Sequence, residues 1–99
     1  MAITIEVRTE SKLRVATSPH PYLLWQHARD LDGFPMLSSV DPYGDTIFNR
    51  QQVERVVEEL ATLSSGELSA AERSSLVELR GLCDETLLRP HRYLWFVGA

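Results

Sequence analysis

The residues best placed to do chemistry fall in one short run, Asp41-Pro42-Tyr43-Gly44-Asp45. Two carboxylates flank a tyrosine whose ring can bury apolar area while its hydroxyl stays wet. That combination suits an anchor in a protein contact. The run also has a plainer reading, because Asp, Pro and Gly at its first, second and fourth places are type I turn residues. Asp41, Tyr43 and Asp45 are thus the candidate binding residues, carried on a turn under either reading.

Other reactive residue types lack the spacing that chemistry needs. His20 lies between two prolines, His27 follows seven residues later, and His91 follows Pro90. No pair has the i, i+4 spacing of a helical zinc site. Asp30-Leu31-Asp32-Gly33 opens like a calcium loop, but position five of such a loop is Phe34 and position twelve is Asp41. A calcium loop needs a bidentate Glu at that last place, so a helix-ending turn is the expected structure. Cys83 is the only cysteine. It shares a helical stripe with Leu76, Leu79 and Leu87, so it is expected as a small core hydrophobe. No disulfide or multi-cysteine zinc site can form within the chain, and no metal or cofactor is expected. The chain also lacks G-x-S-x-G, P-loop and G-x-G-x-x-G motifs.

Hydrophobic periodicity supplies the elements that must carry these residues. Ile3, Ile5 and Val7 alternate with Thr4, Glu6 and Arg8, which predicts a strand with one buried face. Leu13 and Val15 alternate with Lys12 and Arg14, which predicts the second strand of an antiparallel hairpin. Pro21, then Leu24, Ala28 and Leu31, predicts a short helix over 21–31; a strand from Tyr22 to His27 is the competing reading. Phe34 to Val40 is apolar and is read as a packed strand fragment. Thr46-Ile47-Phe48 is β-prone.

Two helices carry clear start signals. Asn49 with Gln52, and Ser69 with Glu72, have capping-box spacing. Val53, Val56, Val57, Leu60 and Leu63 make one stripe over 50–63, with Glu58 and Glu59 expected to face away. Leu76, Leu79, Leu82, Cys83 and Leu87 make the other, over 69–88. Tyr93 to Val97 closes the chain as a strand apolar on both faces, which is expected at a sheet centre or under a partner.

Ninety-nine residues, 43% apolar and 24% charged, make a single domain over 1–99, with no linker or repeat. The net charge is -4, and acids outnumber bases by two in each half of the chain. Duplex nucleic acid needs a concentrated positive surface, so no nucleic-acid partner is expected. The apolar runs are far short of the roughly 20 residues that cross a bilayer, and the first residues do not read as a signal peptide. No membrane association is expected, and the cytoplasm is the expected location.

Residues 41–49, reading Asp-Pro-Tyr-Gly-Asp-Thr-Ile-Phe-Asn, with Gln52 after them, resemble a segment of short bacterial proteins, many of them actinobacterial. The ending His91-Arg92-Tyr93-Leu94-Trp95-Phe96-Val97-Gly98 resembles their close. Together the two stretches span about a fifth of the chain. The resemblance implies a bacterial cytoplasmic setting and contributes no catalytic residue.

The expected fold class is therefore two-layer α+β. A small, mainly antiparallel sheet holds the hairpin and the last strand together, with an antiparallel helix pair on one face. The expected function is a non-catalytic protein-binding module of the immunity or inhibitor kind, meeting another protein through loop 41–45. One alternative is a self-associating structural or regulatory subunit, a homodimer through the last strand. Another is a small enzyme using Asp41, Asp45 and one histidine as acid and base.

Overall fold

The computed structural model describes residues 2–98; Met1 and Ala99, the ends of the expected domain, lie outside the described residues. Four antiparallel strands form one sheet in the order β2-β1-β4-β3. They are β1 (Thr4–Thr9), β2 (Arg14–Thr17), β3 (Asp45–Phe48) and β4 (Arg92–Val97). Two short helices, α1 (Trp25–Arg29) and α2 (Pro35–Ser38), precede β3, and two long ones, α3 (Arg50–Ser64) and α4 (Ala70–Leu88), separate β3 from β4. The α+β class and the helix pair packed on one face of the sheet are as the pattern predicts.

The first and last strands meet. Thr4 pairs with Val97 and Thr9 with Arg92, and β3 takes the other side of β4. β4 is thus central, which accounts for half of its doubly apolar pattern. Leu94 and Phe96 are buried against the helices, where Phe96 meets Tyr22 and Phe48 edge-on at 5.1 and 5.6 Å. Edge-to-face contact of this kind favours a ring's positive rim against its neighbour's negative face. Ile3, Ile5 and Val7 join them in the core with Val53, Val56, Leu60, Leu76, Leu79 and Cys83.

Both capping boxes form. Asn49 Oδ1 accepts from the Gln52 N–H at 3.0 Å and Gln52 Oε1 from the Asn49 N–H at 2.9 Å. Ser69 and Glu72 do the same for α4. Each box satisfies backbone donors that a helix start otherwise leaves open.

Four expectations need correction. β2 begins later than the alternation of Leu13 and Val15 predicts, and both residues are exposed. A register break at Val7/Arg8 inserts an extra residue, so Ala16 faces the core opposite Val7 instead. The helix expected over 21–31 is only Trp25–Arg29. Upstream of it the Tyr22 N–H donates to the Ile3 carbonyl and the Leu23 N–H to Ser75 Oγ, which ties that backbone to the residue preceding β1 and to α4 instead of to a helix of its own.

The segment read as a strand fragment over 34–40 is helical at Pro35–Ser38. Proline fits the first turn of a helix, and Phe34, Leu37 and Val40 are buried at helical spacing. The fourth correction explains the third. Glu59 does not face solvent but is buried, and its carboxylate accepts from the N–H groups of Met36 and Leu37, both at 2.9 Å. An acid from α3 therefore caps α2 where its sequence supplies no cap of its own.

Candidate binding surface

Loop 41–45 is fixed from both ends. Asp41 Oδ1 accepts from the Tyr43 N–H at 2.9 Å, the side chain-to-backbone turn that aspartate favours. The Asp41 N–H donates to Thr46 Oγ1 at 2.9 Å, tying the turn to the first residues of β3. On the other side the Gly98 N–H donates to the Gly44 carbonyl at 2.8 Å. Gly98 is pressed so close that a Cβ there would lie 2.6 Å from the Gly44 backbone and 2.7 Å from the Pro42 carbonyl. Only glycine allows that approach. Pro42 is buried beneath the turn.

Tyr43 stands 73% exposed on this fixed backbone. Asp41 and Asp45 are also exposed, and among the described residues neither makes an ion pair. The three candidate residues are therefore together, outward and rigidly presented.

The loop runs directly into the uncovered face of the sheet. Asp45 pairs with Val97 and Ile47 with Trp95, so these four side chains share the face turned away from the helices. Ile47 is 46% exposed. Trp95 lies under the Arg8 guanidinium, 4.2 Å from its ring centre, in cation–π contact. Arg8 also binds Glu6, its Nε 2.7 Å from Glu6 Oε1, and Arg14 lies 3.6 Å from the other Glu6 oxygen. Glu6 is thus neutralised within the face, whereas Asp45 is not. A hollow of about 200 Å³ opens beside Ile47, lined by Tyr93, Trp95, Thr9, Glu10 and Lys12.

The histidines go elsewhere. His20 Nδ1 is 2.7 Å from Glu78, His27 Nδ1 is 3.4 Å from Glu72, and His91 Nδ1 is 2.9 Å from Glu10. None joins Asp41 or Asp45, so the acid–base arrangement considered for those residues is not assembled. Glu78 also accepts from Ser18 Oγ at 2.7 Å, and this bond, with the one from His20, holds its carboxyl below the usual range. A hollow of about 370 Å³ lies beside this pair, lined by Pro21, Leu23, Ala71 and Ser74.

Cys83 is fully buried, and burial pushes its thiol up to about 12, so it is a protonated core side chain. Among the described residues no three His, Cys, Asp or Glu side chains converge for a metal ion. Among the described residues no helix is long and apolar enough to cross a membrane.

Ile47 and Arg8 contribute to this surface without having been singled out in the sequence, and Trp95 lies buried beneath Arg8. Their signal was the second apolar face of β4, but the neighbours of that face depend on strand order. Comparison with protein-family models, curated proteins and solved structures gives no match.

Proposed function

We propose that this protein is a non-catalytic binding module that meets a basic protein surface through loop 41–45, in the manner of an immunity or inhibitor protein. The observation that carries this reading is Tyr43. It is a large aromatic side chain held outward on a backbone that Asp41, Thr46 and Gly98 fix in place. A pre-ordered anchor loses little conformational entropy on binding, which is why rigid aromatic residues dominate contact energies. The unpaired carboxylates of Asp41 and Asp45 supply the charge sense, since a basic partner would be steered to them. The resemblance of residues 41–49 to short bacterial proteins supports a bacterial cytoplasmic setting.

The homodimer alternative loses one of its routes. β4 is hydrogen-bonded on both edges, so it has no edge left with which to pair across a two-fold axis. The uncovered face of the sheet remains to either kind of partner.

The test begins with mass spectrometry of what co-purifies from the source cell. With that partner in hand, Asp45→Lys is expected to slow association by about tenfold or more at low salt and to flatten the salt dependence of the on-rate. An on-rate that ignores both salt and Asp45→Lys contradicts the reading.

A further inference from the structure

We infer that the free edge of β3 takes up an extended segment of the partner, added to the sheet as an outer strand, with a basic side chain beside Asp45 and an apolar one beside Ile47. This deepens the proposed binding function and rests on it.

The ladder decides which backbone groups of β3 face outward. The Gly98 N–H donates to the Gly44 carbonyl, which makes 44 and 98 a hydrogen-bonded pair. Such pairs recur at every second residue between antiparallel strands. The register therefore makes 46 with 96, and 48 with 94, the next two. Asp45 and Ile47 must then turn their N–H and C=O groups away from β4, toward the outer edge. The far side of the sheet agrees. The Ile3 and Ile5 carbonyls accept from Tyr22 and Ser18, so β1 turns its odd-numbered residues outward and its even-numbered ones toward β4. The even-numbered residues of β4 are thereby left for β3. Among the described residues, no backbone group satisfies the outward N–H and C=O groups of Asp45 and Ile47.

The two edges of the sheet differ. β2 is guarded in the usual ways, by the register break at Val7/Arg8 and by Lys12 and Arg14 at its start. β3 reads Asp-Thr-Ile-Phe, with no proline, no lysine or arginine and no irregularity in its pairing with β4. An unguarded edge can accept a strand from another chain.

The side chains then specify the occupant. Residues whose backbone pairs with Asp45 and Ile47 place their side chains on the same uncovered face, as cross-strand neighbours about 5 Å away. Asp45 lacks a cation, and Ile47 is a half-exposed apolar residue next to Trp95. A basic and an apolar residue two places apart in an extended chain answer both. A second copy of this chain answers less well, because β3 reads Asp-Thr-Ile-Phe and carries no basic residue to set beside Asp45.

The probe is a capped heptapeptide in which Arg, Val and Arg alternate with Thr, so that Val beside Ile47 sets an Arg beside Asp45 in either direction. It is titrated into the isotope-labelled full chain and followed by NMR. The inference expects amide shifts centred on Asp45 and Ile47, with hydrogen exchange at those two amides slowed about tenfold or more. It also expects loss of both effects when the peptide backbone is N-methylated. Replacing both Arg by Glu should weaken binding about tenfold.

Binding that survives N-methylation overturns the edge inference. So do shifts confined to Tyr43 with β3 exchange unchanged, although those leave the proposed function standing. Slow exchange at Asp45 and Ile47 that appears without peptide as protein concentration rises makes the occupant a second copy and also overturns the inference. The absence of any response in β3 at millimolar peptide overturns it as well.

Discussion

At the scale of single residues, hydrogen bonding and burial make separate demands, and two side chains show them apart. Glu78 is buried enough to need partners and has them in Ser18 and His20. A carboxyl held below its ordinary value of 4.5 contributes stability above that value and loses it as pH falls through the lower folded value. Ser18→Ala should therefore move the Glu78 carboxyl upward and shrink the loss of stability in acid. Carboxyl NMR titration, with urea unfolding at neutral and acid pH, measures both.

Tyr22 is the opposite case. Its ring packs on Phe96, but its hydroxyl is buried and, among the described residues, has no hydrogen-bond partner. Burial, with the nearby Glu59 charge, raises its ionisation well above the ordinary tyrosine value. Leaving a buried hydroxyl unpaired costs about 1–3 kcal/mol. Tyr22→Phe keeps the ring and removes that cost, so it should be neutral or stabilising by up to about 1 kcal/mol in urea unfolding.

At the scale of elements, what was legible in the sequence depended on how local the cause is. The two long helices declare themselves because Asn49–Gln52 and Ser69–Glu72 cap within a few residues of their stripes. β1 declares itself by alternation and β4 by a short unbroken apolar run. α2 does not, because its cap comes from Glu59, more than twenty residues away. Nor does the start of β2, because a register break against β1 decides which of its residues face the core. Glu59→Leu should therefore unfold more easily than the native chain by about 1–3 kcal/mol, since it strands the N–H groups of Met36 and Leu37. Glu58→Leu, one residue away and exposed, should change stability by no more than about 0.5 kcal/mol.

At the scale of the molecule, the helices cover one face of the sheet and leave the other to solvent, with loop 41–45 at its margin. The candidate residues could be read from turn chemistry, because Asp41, Tyr43 and Asp45 are neighbours in sequence. The surface they join could not. Bringing Asp45 and Ile47 beside Val97 and Trp95, and setting Arg8 over Trp95, takes a strand order that no single segment encodes. Gly98 shows the same dependence, since its need for a missing Cβ arises only where the last strand passes beneath the loop.

The central claim is that Tyr43 anchors a protein partner, and the most direct measurement is the dissociation constant of the co-purified partner for the native chain and for Tyr43→Ala. Unfolding of the two proteins should coincide within about 0.5 kcal/mol, because the side chain is exposed. The account predicts affinity weakened about 30-fold or more, the scale of an aromatic hot spot. Equal affinities for two equally stable proteins would contradict it.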